Sequence, residues 1–176
     1  MNIDYTKSLS KEFVRENKDK INWYHISFSQ KLSEDFIREF QDKVYWDYIS
    51  AYQKLSENFI IEFKNKVIWD RIIYNQKLSE NFIREFQDEI DWNVISFSQN
   101  LSENFIREFK DKVHWIHISF YQKLSENFIR EFKDKIDWNL LLHKYGYDKY
   151  ANRKQYSNFD EFVNFALRLI KLKAFQ

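Results

Sequence analysis

A chain of 176 residues with a formal net charge of +1 and 44% apolar content can build one domain around a continuous core. Aromatic residues make up 20%, while proline and cysteine are absent and glycine occurs once, at Gly146. Those counts exclude a disulfide frame, a thiolate metal site, a glycine-rich phosphate loop and hairpins whose tight turns need glycine at positive φ. No apolar run approaches the ~20 residues that span a bilayer, and Met1 to Leu9 lack the apolar stretch of a signal peptide. The expectation is a cytoplasmic protein without a membrane partner.

After a lead over residues 1–8, a period of 23 residues takes over. Every tryptophan obeys it: Trp23, Trp46, Trp69, Trp92, Trp115 and Trp138. Leu9, Leu32, Leu55, Leu78, Leu101 and Leu124 share the spacing, as do Phe13, Phe36, Phe59, Phe82, Phe105 and Phe128. Such a period marks stacked helical units. Numbered from its leucine, the unit reads Leu-Ser-Glu-Asn-Phe-Ile-Arg-Glu-Phe-Lys-Asp-Lys-Val, a variable residue, Trp, two variable residues, Ile-Ser, two more, then Gln-Lys.

The first helix of each unit is predicted to begin at the serine of position 2 (Ser33, Ser56, Ser79, Ser102, Ser125), whose hydroxyl can cap the free amides of the first turn. Leucine at N′ and isoleucine at N4 have the spacing of a hydrophobic staple. Apolar positions 5, 6, 9 and 13 share one side of the helix. The other side carries charges at i,i+4 spacing, for example Glu34–Arg38, Arg38–Asp42 and Glu39–Lys43.

A second helix is predicted over positions 15–22, with Asp91 and Asp137 as N-caps. Trp, Ile and Gln then face inward, serine lets helices approach, and Gln30, Gln53, Gln76, Gln99 and Gln122 hydrogen-bond backbone between units. Helices of about 10 and about 8 residues cannot persist alone in water, so they must stack. The expected fold is all-α: an α-solenoid of six two-helix repeats over residues 9–146, then a basic connector and capping helix over 147–176.

The ends differ from the middle. Lys11 and Asn17 replace a glutamate and a core phenylalanine in the first unit, as a terminal cap requires. At the other end Ser157 and Asn158 offer an N-cap for a helix over about 159–173, whose Phe162, Phe165, Leu169 and Ile170 would cover the sixth unit. The last 34 residues hold seven Lys or Arg against three acids, whereas residues 1–142 hold 21 against 24.

Comparison of the six copies separates a copied frame from a variable part. Variation gathers at positions 14, 16, 17, 20 and 21, opposite the inward face of the second helix. The candidate partner-binding strip is Tyr24, His25, Phe28, Tyr45, Tyr48, Tyr52, Arg71, Tyr74, Phe97, His114, His117, Phe120 and Tyr121. Aromatic side chains and arginine dominate contact hot spots, so a protein partner is expected here. The third unit places Ile61, Ile68 and Ile73 where other units are polar or variable, a possible homodimer patch or a local repacking.

No catalytic residues, cofactor or metal are expected. His114 and His117 stand at i,i+3 without an evident third ligand, and the serines recur as caps or packing residues rather than beside a histidine and an acid. The alternative reading is a single-stranded RNA- or DNA-binding repeat protein, since helical repeats can read one base per unit. It is disfavoured because phosphate contacts need a basic track. Only the tail, with Lys149, Arg153, Lys154, Arg168, Lys171 and Lys173, supplies one.

The motif Leu-Ser-Glu-Asn-Phe-Ile-Arg-Glu-Phe-Lys-Asp-Lys-Val…Trp…Ile-Ser…Gln, over about residues 9–145, resembles short tandem helical repeats of proteins from giant DNA viruses and phages. The resemblance does not extend to the C-terminal segment. It implies a viral or mobile-element origin and brings no catalytic residues. The function it suggests is a non-enzymatic scaffold that binds and blocks a host protein, such as a defence effector, in the host cytoplasm.

Overall fold

The computed structural model describes residues 3–151 and 156–174, and its regular structure there is entirely helical. The chain divides into two compact units, Met1–Ile90 and Asp91–Gln176. The first holds α1 (Lys11–Glu16), α2 (Trp23–Ser29), α3 (Glu34–Glu39), α4 (Trp46–Tyr52), α5 (Glu57–Glu62), α6 (Trp69–Asn75) and α7 (Glu80–Glu85). The second holds α8 (Trp92–Ser98), α9 (Glu103–Glu108), α10 (Trp115–Tyr121), α11 (Glu126–Glu131), α12 (Trp138–Lys144), a 3-10 turn (Asp148–Tyr150) and α13 (Phe159–Ala174). In each unit the paired helices stack repeat on repeat as an α-solenoid, and α13 ends the second. No helix among the described residues is long and apolar enough to cross a membrane.

The first helices begin where the serines predict. Ser10, Ser33, Ser56, Ser79, Ser102 and Ser125 each accept a hydrogen bond from the amide three residues on, at 3.1–3.4 Å. They are shorter than expected, at six residues. At Phe40 the backbone moves to φ −116°, ψ 28°, which ends the helix. A further turn follows, closed by Lys43 and Val44 N–H on the Phe40 carbonyl at 2.9 and 3.1 Å. That swing sends both Phe40 and Val44 into the core, where positions 5, 6, 9 and 13 are buried as predicted in the second to fifth repeats.

The second helices open at the tryptophans. Asn22, Asp91 and Asp137 cap them with side-chain oxygens, whereas Tyr45, Ile68 and His114 make no such bond. The tryptophans of the first five repeats each reach into the next repeat, and Trp138 reaches Phe159 and Phe162 instead. Trp46 lies 6.2 Å from Phe59 and 5.0 Å from Phe63, ring centre to centre, and Trp115 lies 6.2 and 4.9 Å from Phe128 and Phe132. Stacked rings therefore form the seam between repeats, where burial supplies the stability that six- and seven-residue helices lack.

Polar frame residues close the same seam. Gln53 accepts from its own repeat's Leu32 N–H at 2.9 Å and donates to the preceding repeat's Ser27 and Gln30 carbonyls at 3.2 and 2.9 Å. Gln76 and Gln122 repeat this bonding. The position-19 serine does more than permit close approach. Ser27 donates to the Trp23 carbonyl at 2.8 Å and accepts from Tyr45 N–H of the next repeat at 2.9 Å. Ser119 does the same with Trp115 and Asp137.

The ends show how terminal repeats are satisfied. Gln30 has no preceding repeat, so it donates to the Tyr5 and Lys7 carbonyls of the lead at 2.9 and 3.0 Å. Lys11 is more than a polar cap: its ammonium donates to Ser33 Oγ at 3.0 Å. At the C-terminal end α12 stops in a Schellman turn. Tyr147 N–H reaches the Leu142 carbonyl and Gly146 N–H the His143 carbonyl, each at 2.8 Å. Gly146 sits at φ 79°, which explains the one glycine. The capping helix meets the expectation in part: Phe162 is covered and Ile170 packs against the same cluster, while Phe165 and Leu169 are only half-buried. Phe162, Val163, Ala166 and Leu167 are the fully covered residues, packed with Trp138, Leu141 and Leu142. Phe165 instead meets Tyr150 and Tyr156, and Leu169 stays half-buried.

Candidate functional site

The seam and caps consume the polar groups of the frame. What remains unspent is the outer side of the second helices, where the predicted strip residues lie. In the first unit they form a continuous set of rings. Tyr24 touches Phe28, Tyr45 and Tyr48 at centroid distances of 6.3, 6.0 and 4.9 Å. Phe28 reaches Tyr48 and Tyr52 of the next repeat at 5.5 and 5.2 Å. Tyr24, Phe28, Tyr45 and Tyr52 are exposed, and Tyr48 is half-buried between them.

His25 belongs to the same set, in an edge contact with Tyr24 at 5.3 Å. Its other neighbour is Tyr5, stacked at 4.8 Å, which sequence reasoning missed. The Tyr5 hydroxyl also accepts the Asn22 N–H at 2.6 Å. A signal existed. Gln53 and Gln76 bond carbonyls 26 and 23 residues upstream, so Gln30 requires ordered carbonyls near residues 4–7. The lead and α2 enclose an open concavity of about 650 Å³, lined by Asp4, Tyr5, His25 and Phe28 among others.

The Tyr48 phenol is pushed up to about 12, first by the Tyr24 phenol beside it and then by loss of water around it, with Asp47 and Tyr52 adding to the shift. Arg71 is exposed and bridges to Asp47 at 3.2 Å, so the strip's expected charge is paired rather than free. Tyr74 is 62% exposed.

The second unit presents a second aromatic group, more buried than the first. Phe97 meets His117 at 5.0 Å and Tyr121 at 5.8 Å, and His117 meets His114 at 4.5 Å. Phe120 lies edge-on to Tyr121 at 4.9 Å and stacks with His143 at 6.0 Å. Phe97, His114, His117 and Phe120 are half-buried and Tyr121 is exposed. Position 20 therefore does two jobs, as an inter-repeat contact and as surface.

His117 Nδ1 lies 3.1 Å from the Asn93 carbonyl, while His114 Nδ1 is buried without a hydrogen-bond partner. Among the described residues no three His, Cys, Asp or Glu converge to hold a metal ion.

One expected surface residue is misplaced. Ile73 is fully buried and cannot join Ile61 and Ile68 in an exposed patch. It fills the position-19 slot, where Ser27, Ser50, Ser96 and Ser119 are also fully buried, so an apolar side chain there is core. Ile61 and Ile68 are exposed. In the tail, Lys149 packs over Tyr150 at 4.8 Å, and Arg168, Lys171 and Lys173 are exposed. Arg153 and Lys154 lie outside the described residues.

Comparison with known proteins finds no matching family model, no similar curated protein and no similar solved structure.

Proposed function

We propose that this protein is a non-enzymatic repeat scaffold that binds another protein through the outer strip of its second helices. The observation that carries this reading is the ring-to-ring surface of Tyr24, Phe28, Tyr45, Tyr48 and Tyr52. Exposed apolar patches of this kind usually mark interaction surfaces, and tyrosine joins a large apolar face to a hydroxyl that can bond a partner. The contrast with the frame supports it. Trp, Gln and Ser recur because the seam needs them, while the strip differs between copies, as a surface matched to one partner would.

The kinship suggested by the repeat motif makes the partner a host protein that a viral or phage scaffold occupies or blocks. A nucleic-acid role would rest on the tail, because the described arginines of the array lie against acids. The test is capture of a partner by the intact chain, compared with a variant carrying Tyr24→Ser, Phe28→Ser and Tyr52→Ser. Loss of capture with an unchanged helical spectrum is the expected result, and full retention would overturn the proposal.

A further inference from the structure

Besides pairs along each helix, such as Arg38 with Glu34 and Asp35, the first helices carry a ladder of charges that runs between repeats. Arg15 bridges Glu39 and Arg38 bridges Glu62, each at 2.8 Å. Lys43 reaches back to Asp19 at 2.9 Å and Lys66 to Asp42 at 2.8 Å. The second unit repeats the pattern with Arg107–Glu131 and Lys135–Asp111. The same cations cover rings of the seam: Arg38 lies 5.0 Å from the Phe59 centroid and Lys66 lies 6.0 Å from Trp46.

Between the third and fourth repeats of the first unit this ladder stops. Ile61 stands in the arginine position, Asn65 in the aspartate position and Glu89 in the lysine position. All three departures fall on one junction. Glu85 and Glu89 are exposed and have no ion pair or side-chain hydrogen bond among the described residues. Ile61 is 37% exposed. The Trp69 indole is altered as well. In the first, second, fifth and sixth repeats the tryptophan N–H donates to the carbonyl five residues upstream at 2.8–3.0 Å. Trp69 N–H has no acceptor among the described residues, and its ring lacks a lysine.

We infer that this gap is a second docking surface, independent of the aromatic strip, for an apolar segment of a partner protein that carries arginine or lysine. The charge pattern selects the occupant. Glu85 has lost its cation, Glu89 puts a second carboxylate where other junctions hold a lysine, the exposed Ile61 offers an apolar contact, and an indole N–H is free to donate. A partner cation would take the place beside Glu85 that arginine takes at the other junctions, with its apolar neighbour on Ile61. A phosphate backbone would meet two carboxylates and be repelled. Two-fold pairing with a second copy would bring the same carboxylates against each other, which costs affinity.

The experiment measures binding of the full chain to a short labelled peptide of alternating leucine and arginine, by fluorescence anisotropy. A second peptide has glutamate in place of arginine. Ile61→Arg with Glu89→Lys restores both cations at this junction. Glu16→Lys with Asn127→Lys adds the same charge elsewhere. The expected result is salt-sensitive binding of the arginine peptide alone, weakened about tenfold by the refilled ladder and little changed by the charge-matched control.

The refilled variant should melt no lower than the parent, so lost binding would not reflect unfolding. The strip variant Tyr24→Ser, Phe28→Ser, Tyr52→Ser should bind the peptide normally, which separates this surface from the proposed strip. Equal loss in both charge variants, no binding by the parent, or a dimer of the parent that the refilled ladder abolishes would each overturn the inference.

Discussion

The side-chain amide of Gln53 donates to the main-chain carbonyl of Gln30, 23 residues upstream, at 2.9 Å. One residue type thereby joins each repeat to the last and ties its own Leu32 N–H through the same amide. Gln53 is buried, so no water can replace it cheaply. Gln53→Leu should keep the volume but orphan an N–H and two carbonyls. We expect a loss of about 1–3 kcal/mol in urea unfolding. A change within error would mean that the glutamine bonds do not hold the seam.

Trp138 is the largest fully buried side chain and lies between the last repeat and α13, 5.3 Å from Phe162. Trp138→Ala should cost about 3–5 kcal/mol, as large aromatic truncations in cores do. Protease should then cut within residues 156–174 before it cuts the repeats, since the cap loses its principal contact. Uniform digestion along the chain would contradict this.

The charge ladder is exposed and therefore weak. A double-mutant cycle on Arg38 and Glu62 should return a coupling of about 0.2–1 kcal/mol, falling as salt is raised. A coupling well above that range would show that the arginine's packing on Phe59 and its ion pair act as one unit.

Tyr48 makes stability depend on alkaline pH. Its folded phenol titrates near 12 against an ordinary value of 10.0, so the folded chain holds that proton more tightly than the unfolded chain does. The contribution is complete below pH 10 and is lost as pH rises through 12. Tyr48→Phe should remove this part of the alkaline slope. Ultraviolet titration should show the variant lacking the latest-ionising phenol. Identical slopes in the two proteins would contradict the assignment.

The architecture was legible because its signal is periodic. Six tryptophans at one spacing identified the repeat, and the serine caps and the Asp91 and Asp137 caps followed from local chemistry that needs no tertiary knowledge. Contacts between repeats were harder to foresee. Arg38 meets Glu34 on its own helix as the spacing predicted, but in place of Asp42 it bridges Glu62, because stacking brings the next repeat's carboxylate near. Ile73 looked like surface by its departure from the pattern, but its slot is core whichever residue fills it. On α13, Phe162 and Ile170 were legible, but the burial of Val163, Ala166 and Leu167 rather than Phe165 and Leu169 depends on the shape of the terminal repeat, which no internal period encodes. For the proposed strip, the partition into exposed Tyr52 and half-buried Phe97 needed the packed helices.

The most direct test of the proposed binding strip is site-specific photocrosslinking in the cells in which the protein occurs. A benzophenone side chain would replace Tyr52 on the strip in one chain and Asn127 on a first helix in another. Both positions are exposed, so access to solvent does not distinguish them. The account predicts one discrete adduct from position 52 and none from position 127. No adduct at 52, or the same adducts from both positions, would contradict it.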